Sequence, residues 1–516
     1  MQKPKFDYKF NDETIAALFG HEAADREDVN RLKQYYFKKS DYESVTSNLP
    51  LKIVIGFKGV GKSAVLKIAY QEDIANSIPC IWIRPDDISE IYSDLTKESN
   101  DLRLITLWKK GISRVIAMHL VESMYLSVNE ESDIAVSWAE QHGYKSRDLL
   151  SQLVQRLKPI ISKKVDIERP NVSNTFGEHH LLDRLVQKKK IRIYIDDLDR
   201  GWKASKEDIT RLAALINALG DLTTDVEGLQ VRLALRGDVY SLVRGASEFT
   251  DKFESSEVWC NWTNHEILVA LIKRIYTYFN IDLPDDEILS KKQHELNRYL
   301  DPIFATKYLG SRAWENAPMY RVIMSLIRRR PRDMVKLSTN AAKKANEEKS
   351  KTITGKHMSQ VLEHYSNQRM KDIIIEFQSE LPNISDLLYN MGPTSKEIHE
   401  KRKDRYLYTT EQLYKKVSNV MMNVPIRFTN NVGADFHDVS YFLFKIGFIT
   451  ATKKLANGFV ERKFYEDKPQ LLSKSVGDEG YSWEIHPAYR SALFKRTNAD
   501  EKWEESINLE NVIDEF

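Results

Sequence analysis

LKIVIGFKGVGKSAVL, residues 51–66, decides how the rest of this chain is read. An apolar run of Ile53, Val54 and Ile55 ends in Gly56, GFKGVGKS follows, and helix-forming residues come behind it. A strand, a glycine-rich turn and a helix in that order make a phosphate-binding loop. Gly56, Gly59 and Gly61 allow backbone dihedrals that a Cβ would penalise, so the N–H groups through Val60, Gly61, Lys62, Ser63 and Ala64 can turn inward around a phosphate chain. The positive end of a helix starting near Lys62 adds to that field. Lys62 has the reach for β- and γ-phosphates, and the Ser63 hydroxyl suits a Mg²⁺ ion that keeps several of its waters.

At 516 residues the chain is too long for one ordinary core and predicts two to four domains. An apolar content of 42% with 29% charged residues is that of a soluble globular protein. No apolar run approaches the ~20 residues needed to cross a bilayer, and the opening MQKPKFDYKF has no apolar signal core. Cys80 and Cys260 lie in apolar, strand-like contexts, so free thiols and a cytoplasmic location are expected, with no membrane partner. A net charge of +2 neither favours nor excludes nucleic acid, because a basic face can hide in a balanced total.

A nucleotide site needs a second half, and IRIYIDDLDRGW, residues 191–202, supplies one. A β-rich run ending in two carboxylates suits Mg²⁺-dependent hydrolysis: Asp196 would orient the metal, through water, and Asp197 would polarise the attacking water. Asp199 and Arg200 follow, where they could order the loop or meet a neighbouring subunit. Further strands are predicted at 79–84, 229–235 and 258–262. Arg236, at the end of the fourth, is placed to sense a γ-phosphate, and Asp238 to cap the next helix. Thr263, Asn264 and Glu266 carry helix-opening chemistry. The order is that of an α/β parallel sheet with its ligand at the carboxyl ends of the strands.

Around this core the pattern is helical. Residues 1–50 form an N-terminal helical segment whose Phe19-Gly20, Ala23-Ala24 and Tyr36-Phe37 either cover an adenine or only pack on the sheet. Residues 51–265 are the nucleotide-binding core, with a helical insertion at about 101–164. The His179, His180 pair has no partner at metal-site spacing and reads as solvated or capping. Residues 266–365 read as a helical lid whose SLIRRRPRDMVKL, residues 325–337, admits three readings. Pro331 opens a helix and Arg332 swings toward phosphates, or the arginines form a patch for DNA, or they are simply solvated. Residues 340–356 look like an exposed helix end and linker. In 366–496, two or more helices precede a hairpin and a closing strand, a winged-helix arrangement with Lys453, Lys454, Arg462 and Lys463 on its wing. The Glu461, Lys463 pair lacks the Pro-Asp strand end that would make it half of a nuclease site. Residues 497–516 are an acidic tail.

With GFKGVGKS, IYIDDLDRGW, the LRGD strand end, RPRD and WEIHPAYRSAL together, the chain resembles bacterial P-loop ATPases related to the KAP and STAND branches of the AAA+ class. The resemblance implies a P-loop NTPase core with an AAA+/STAND-like parallel sheet, a helical lid and a winged-helix-like carboxyl-terminal domain. It implies ATP and Mg²⁺ as ligands and hydrolysis coupled to self-assembly into a homo-oligomer or to a conformational switch. Such proteins often act in anti-phage defence, where a separate effector protein is gated. It carries Lys62, Ser63, Asp196, Asp197 and Arg236 onto Walker and sensor roles, with Arg332 as a second sensor. Asp197 stands where many relatives of that class have Glu. Arg200 and Arg244 are candidates for an arginine acting across a subunit interface. A DNA-binding ATPase and a nucleotide-stabilised scaffold without turnover are the competing expectations.

Overall fold

A computed structural model describes residues 8–123 and 190–494, apart from 23, 90, 92–94, 96–97, 99, 199–200, 247, 310–313, 402–403, 430–432 and 457–459. The expected insertion beyond residue 123, His179 and His180, Asp199, Arg200, most of the hairpin turn at 456–458 and the acidic tail lie outside the described residues.

Three short helices open the described chain, α1 (Asp12–Phe19), α2 (Val29–Tyr35) and α3 (Ser40–Thr46). Next come β1 (Leu51–Gly56), α4 (Lys62–Ala75), β2 (Cys80–Ile83), α5 (Asp101–Ser123) and β3 (Ile191–Ile195). They are followed by α6 (Lys206–Asp225), β4 (Leu229–Arg236), α7 (Gly237–Ala246) and β5 (Glu257–Trp259). The helices α8 (Asn264–Tyr278), α9 (Met319–Leu326), α10 (Pro331–Glu347) and α11 (Gly355–Phe377) come after the sheet. The chain closes with β6 (Leu407–Tyr408), α12 (Thr410–Asn423), α13 (Phe436–Lys445), β7 (Ile449–Lys454), β8 (Val460–Lys463), β9 (Ser482–Ile485) and α14 (Pro487–Leu493).

These elements form two compact units. The first, Lys39–Gly56 with Val65–Trp259, holds a parallel sheet in the order β2-β3-β4-β1-β5. Both β1 and β3 are buried along their whole length, which is why, apart from Lys52 and Arg192, their sequences are apolar and rich in β-branched residues rather than alternating. Two buried arginines fix where β1 begins. Arg192 pairs with Asp73 at 2.7 Å, and Arg232 donates to the carbonyls of Val45, Ser47 and Leu49. With the α3–β1 connection pinned in this way, β1 emerges in one register beside β4, Gly56 opposite Arg236. On this sheet α5 lies against α6, and the Trp108 indole donates to Arg211 O at 2.9 Å.

The second unit takes Met1–Lys38, Phe57–Ala64 and Cys260–Phe516. Its core gathers Phe19 and Phe37 with apolar residues of α8, α9, α10 and α11, and with Ala488 of α14. Residues 366–494 add α12, α13 and a four-stranded antiparallel sheet ordered β6-β9-β7-β8. The expected division at 365/366 falls inside α11, and the two units part at 38/39, 56/57, 64/65 and 259/260. A continuous helix whose buried face carries Val361, Leu362, Tyr365, Met370 and Ile373 leaves no hinge at that point. In residues 340–356, α10 runs to Glu347 and buries Ala341, Ala342 and Ala345 by close packing, while its end from Asn346 to Glu347 is exposed and 348–354 connect it to α11. Among the described residues no helix is long and apolar enough to cross a membrane, and Cys80 and Cys260 are both free thiols.

Candidate nucleotide-binding site

Two of the three loop glycines have the backbone expected of them. Gly59 and Gly61 sit at φ +90° and +100°, in the region where a side chain is strained, and α4 begins at Lys62. Gly56 is the last residue of β1. Val60 is buried, while Gly61, Lys62, Ser63 and Ala64 are half-buried, as a ligand-facing turn requires. The Lys62 ammonium lies 3.4 Å from Phe57 O, folded back over the loop it belongs to.

What holds the loop is not in the motif. Lys58 N–H donates to Glu376 Oε1 at 2.9 Å, and Lys58 O accepts from Arg330 Nη1 at 3.3 Å. Gly59 O accepts from Arg332 N–H at 3.3 Å, and Val60 O from the Trp262 indole at 2.6 Å. Three consecutive carbonyls are thus tied to parts of the chain hundreds of residues away. Trp262 and Glu376 escaped the sequence reading because hydrogen bonds spanning 202 and 318 positions leave no local pattern.

Pro331 and Arg332 lie beside this loop. Pro331 is the first residue of α10, and the Arg332 side chain crosses Gly59 so closely that a Cβ built on that glycine would fall 2.9 Å from Arg332 Cβ. Arg332 Nε donates to Glu22 O at 3.0 Å. The neighbouring arginines are not a DNA patch. Arg328 and Arg330 are buried in ion pairs with Asp333 and Glu376, and Arg329 pairs with Asp467. Burial of Asp333 would raise its pKa, but the charges of Arg328 and Arg369 outweigh that and hold it far below the usual carboxylate range. Phe19 and Phe37 are core residues: Phe19 is fully buried, and Phe37 stacks edge-on against Trp262 at 5.6 Å. Both belong to the helical core of the second unit and not to the core of the sheet.

In the sheet unit, Asp196 follows β3 directly and is 6% exposed, whereas Asp197 is exposed and takes φ +60°. That left-handed turn brings Asp197 N–H onto Asp196 Oδ1 at 3.0 Å, so the first carboxylate is oriented by the peptide of the second. Because all five strands are parallel, Gly56, Asp196 and Arg236 lie at the same edge of the sheet, with β4 between β1 and β3. Arg236 is held in a two-point pair with Asp238, Nε to Oδ1 at 3.1 Å and Nη2 to Oδ2 at 2.6 Å. Arg244 pairs with Glu254 and Glu257.

The residue types fit a magnesium nucleotide. Left-handed glycines, a lysine at the helix start and a hydroxyl beside it suit a polyphosphate, and Mg²⁺ asks the protein for few ligands. Among the described residues no group of three or more His, Cys, Asp or Glu could hold a metal. In the module around α12 and α13 the cations of β7 and β8 are partly neutralised: Arg462 pairs with Glu484, Lys463 with Glu461, and Lys453 donates to Glu479 O, while Lys454 is exposed.

Residues 288–374, from the segment before α9 through most of α11, match the family described as FunZ-associated C-terminal helical domain. The chain is 21% identical over 387 residues to the transposon gamma-delta 80.3 kDa protein of Escherichia coli (strain K12), covering 71% of this chain and 52% of that one. It therefore spans about half the length of the curated relative it matches. Among solved structures, the Aeropyrum pernix ORC2 protein in its ADPNP-ADP complexes is 11% identical, covers 90% of this chain and 95% of its own, and has a TM-score of 0.39. The Thermotoga maritima RuvB Holliday junction branch migration motor is 11% identical over 87% of this chain and 98% of its own, at a TM-score of 0.30. The Aeropyrum pernix ORC1 protein in complex with DNA is 10% identical over 90% and 91%, also at 0.30. Overlaps this loose carry no argument.

Proposed function

We propose that the protein binds and hydrolyses ATP with Mg²⁺ and uses the cycle as a molecular switch. The observation that carries the reading is the loop itself: GFKGVGKS joins a buried parallel strand to a helix, with Gly59 and Gly61 left-handed and Lys62 at the helix start. Lys62 would neutralise the β- and γ-phosphates, Ser63 and Asp196 would hold the ion, Asp196 through water, and the amides from Val60 to Ala64 would cradle the chain of phosphates. Bound Mg²⁺ supplies charge neutralisation of the phosphate oxygens. Asp197 would take the proton of the attacking water as its oxygen bonds the γ-phosphorus and the bond to the ADP oxygen breaks. Arg236 would act as sensor only after leaving Asp238, which makes its pair a resting position. Arg332 reaches the loop from the lid side.

The finer reading is that ATP drives assembly of a homo-oligomer, and that the assembly recruits or gates a separate effector protein, in the manner of prokaryotic anti-phage systems. It rests on the resemblance of the motifs. A DNA-binding ATPase is the second reading. It is favoured by the winged-helix-like order of α12, α13 and β7–β9 with Lys454 exposed, and by the relative's being a transposon protein.

ATP turnover of the purified protein and of Asp197→Ala, with particle mass in each nucleotide state, alone and with duplex DNA, tests all of this. Turnover falling at least a hundredfold in the variant, while ATP still drives assembly, is the expected result. DNA stimulation lost on replacing Lys453 and Lys454 would move the conclusion to the second reading. No turnover by wild type under any condition would leave ATP as a structural ligand of a scaffold.

A further inference from the structure

Lys58 is the loop residue whose two peptide groups are both held by side chains. Glu376 Oε1 takes its N–H and Arg330 Nη1 its carbonyl, and that same Nη1 lies 3.0 Å from Glu376 Oε2. Both side chains are deeply buried, at 1% exposed for Glu376 and 5% for Arg330. The guanidinium also sits 5.3 Å over the Phe57 ring, which in turn packs on Phe377 at 6.3 Å. A buried charge pair is an expensive way to fill space, and an apolar pair would fill it as well. This one closes a ring of hydrogen bonds around the two peptide groups of a single residue, something apolar side chains cannot do. It grips backbone alone, leaving the Lys58 side chain exposed.

We propose that Glu376, with Arg330 behind it, is a positioning residue of the nucleotide site. By fixing the Lys58 peptide it sets the direction from which the chain enters the left-handed Gly59, and so aims the amides that follow. This rests on the nucleotide reading above. The last turn of α11, far outside the phosphate-binding motif, is thereby part of the site, and the loop's shape depends on the helix that also carries α14.

The test uses the full chain. Glu376→Gln keeps an acceptor for Lys58 N–H but loses the charge, and Glu376→Leu with Arg330→Met removes both charges so that neither is left buried alone. Hydrogen exchange of the peptide covering 56–62 without nucleotide, affinity for Mg-ATP, and the melting temperature without nucleotide are read for each. Exchange at least tenfold faster and Mg-ATP affinity at least tenfold weaker in the double variant are expected, with Glu376→Gln between it and wild type and melting little changed. A folded double variant with wild-type exchange and affinity would overturn the inference. Should the double variant not fold, Glu376→Gln decides: several-fold weaker affinity supports the clamp and unchanged affinity overturns it. Wild type that binds no Mg-ATP, with Lys62→Ala indistinguishable from it, would instead overturn the nucleotide reading, and the inference with it.

Discussion

Gly59 and Gly61 have the same kind of backbone but different neighbours, and substitution separates the two effects. Alanine at either pays for a left-handed φ, about 1–2 kcal/mol. At Gly61 the new Cβ has room, its nearest neighbour being Ala64 Cβ at 3.9 Å, whereas at Gly59 it would meet Arg332 Cβ at 2.9 Å. Gly59→Ala is therefore expected to lower the melting temperature without nucleotide by clearly more than Gly61→Ala. Equal shifts in thermal melts would show that Arg332 does not lie over the loop. At this scale the glycines, Lys62 and Ser63 were legible because the backbone need and the residue type coincide within eight positions. Arg328 and Arg330 were not, since an arginine run reads alike whether it faces solvent, phosphate or a buried carboxylate.

Helix α8 shows an element that sequence chemistry describes well. Thr263 Oγ1 accepts from Glu266 N–H at 3.1 Å and Glu266 Oε2 accepts from Thr263 N–H at 2.8 Å, the reciprocal box that Thr263 and Glu266 predicted. Thr263→Ala should cost about 1 kcal/mol, read as a lower urea midpoint with unchanged slope, and an unchanged midpoint would mean the box is not what starts α8. The strand before it was read less well: β5 is Glu257–Trp259, and Cys260 to Trp262 leave the sheet, with Trp262 turning to Val60 O. An apolar pentapeptide does not reveal that its last tryptophan will be used for its N–H. The α10–α11 pair was misread for a related reason, because alanines and lysines at helical spacing look solvent-exposed until a second helix is packed against the alanines.

Across the whole molecule, stability and pH are joined through buried charge in the second unit. His486 is fully buried, its Nδ1 accepting from Ala488 N–H at 3.1 Å. Burial, reinforced by the charges of Arg462, Arg328 and Arg490, pushes its pKa well below the ordinary 6.5. The sign follows from proton counting: below pH 6.5 the unfolded chain takes up a proton at this residue and the folded chain does not, so stability is lost as pH falls. Urea unfolding between pH 7 and pH 5 should show His486→Asn losing less stability than wild type, the difference growing by up to about 1.4 kcal/mol per pH unit. Parallel pH profiles would mean that His486 is protonated in the fold.

What the sequence determined by itself was everything that local chemistry dictates: the loop and its glycines, the five strands as apolar runs, the two aspartates after β3, and the capping of α8. A turn, a cap or a buried strand is specified by residues within one or two turns of each other, so its signal is contiguous. Tertiary structure alone decided which side chains surround the loop, that α11 runs unbroken through an expected boundary, and that the arginines of 328–330 face carboxylates. Those outcomes depend on which distant segments share a core. Glu376 and Lys58 meet only because α10 and α11 pack together, and a pairing across 318 positions is fixed by the burial of many residues at once.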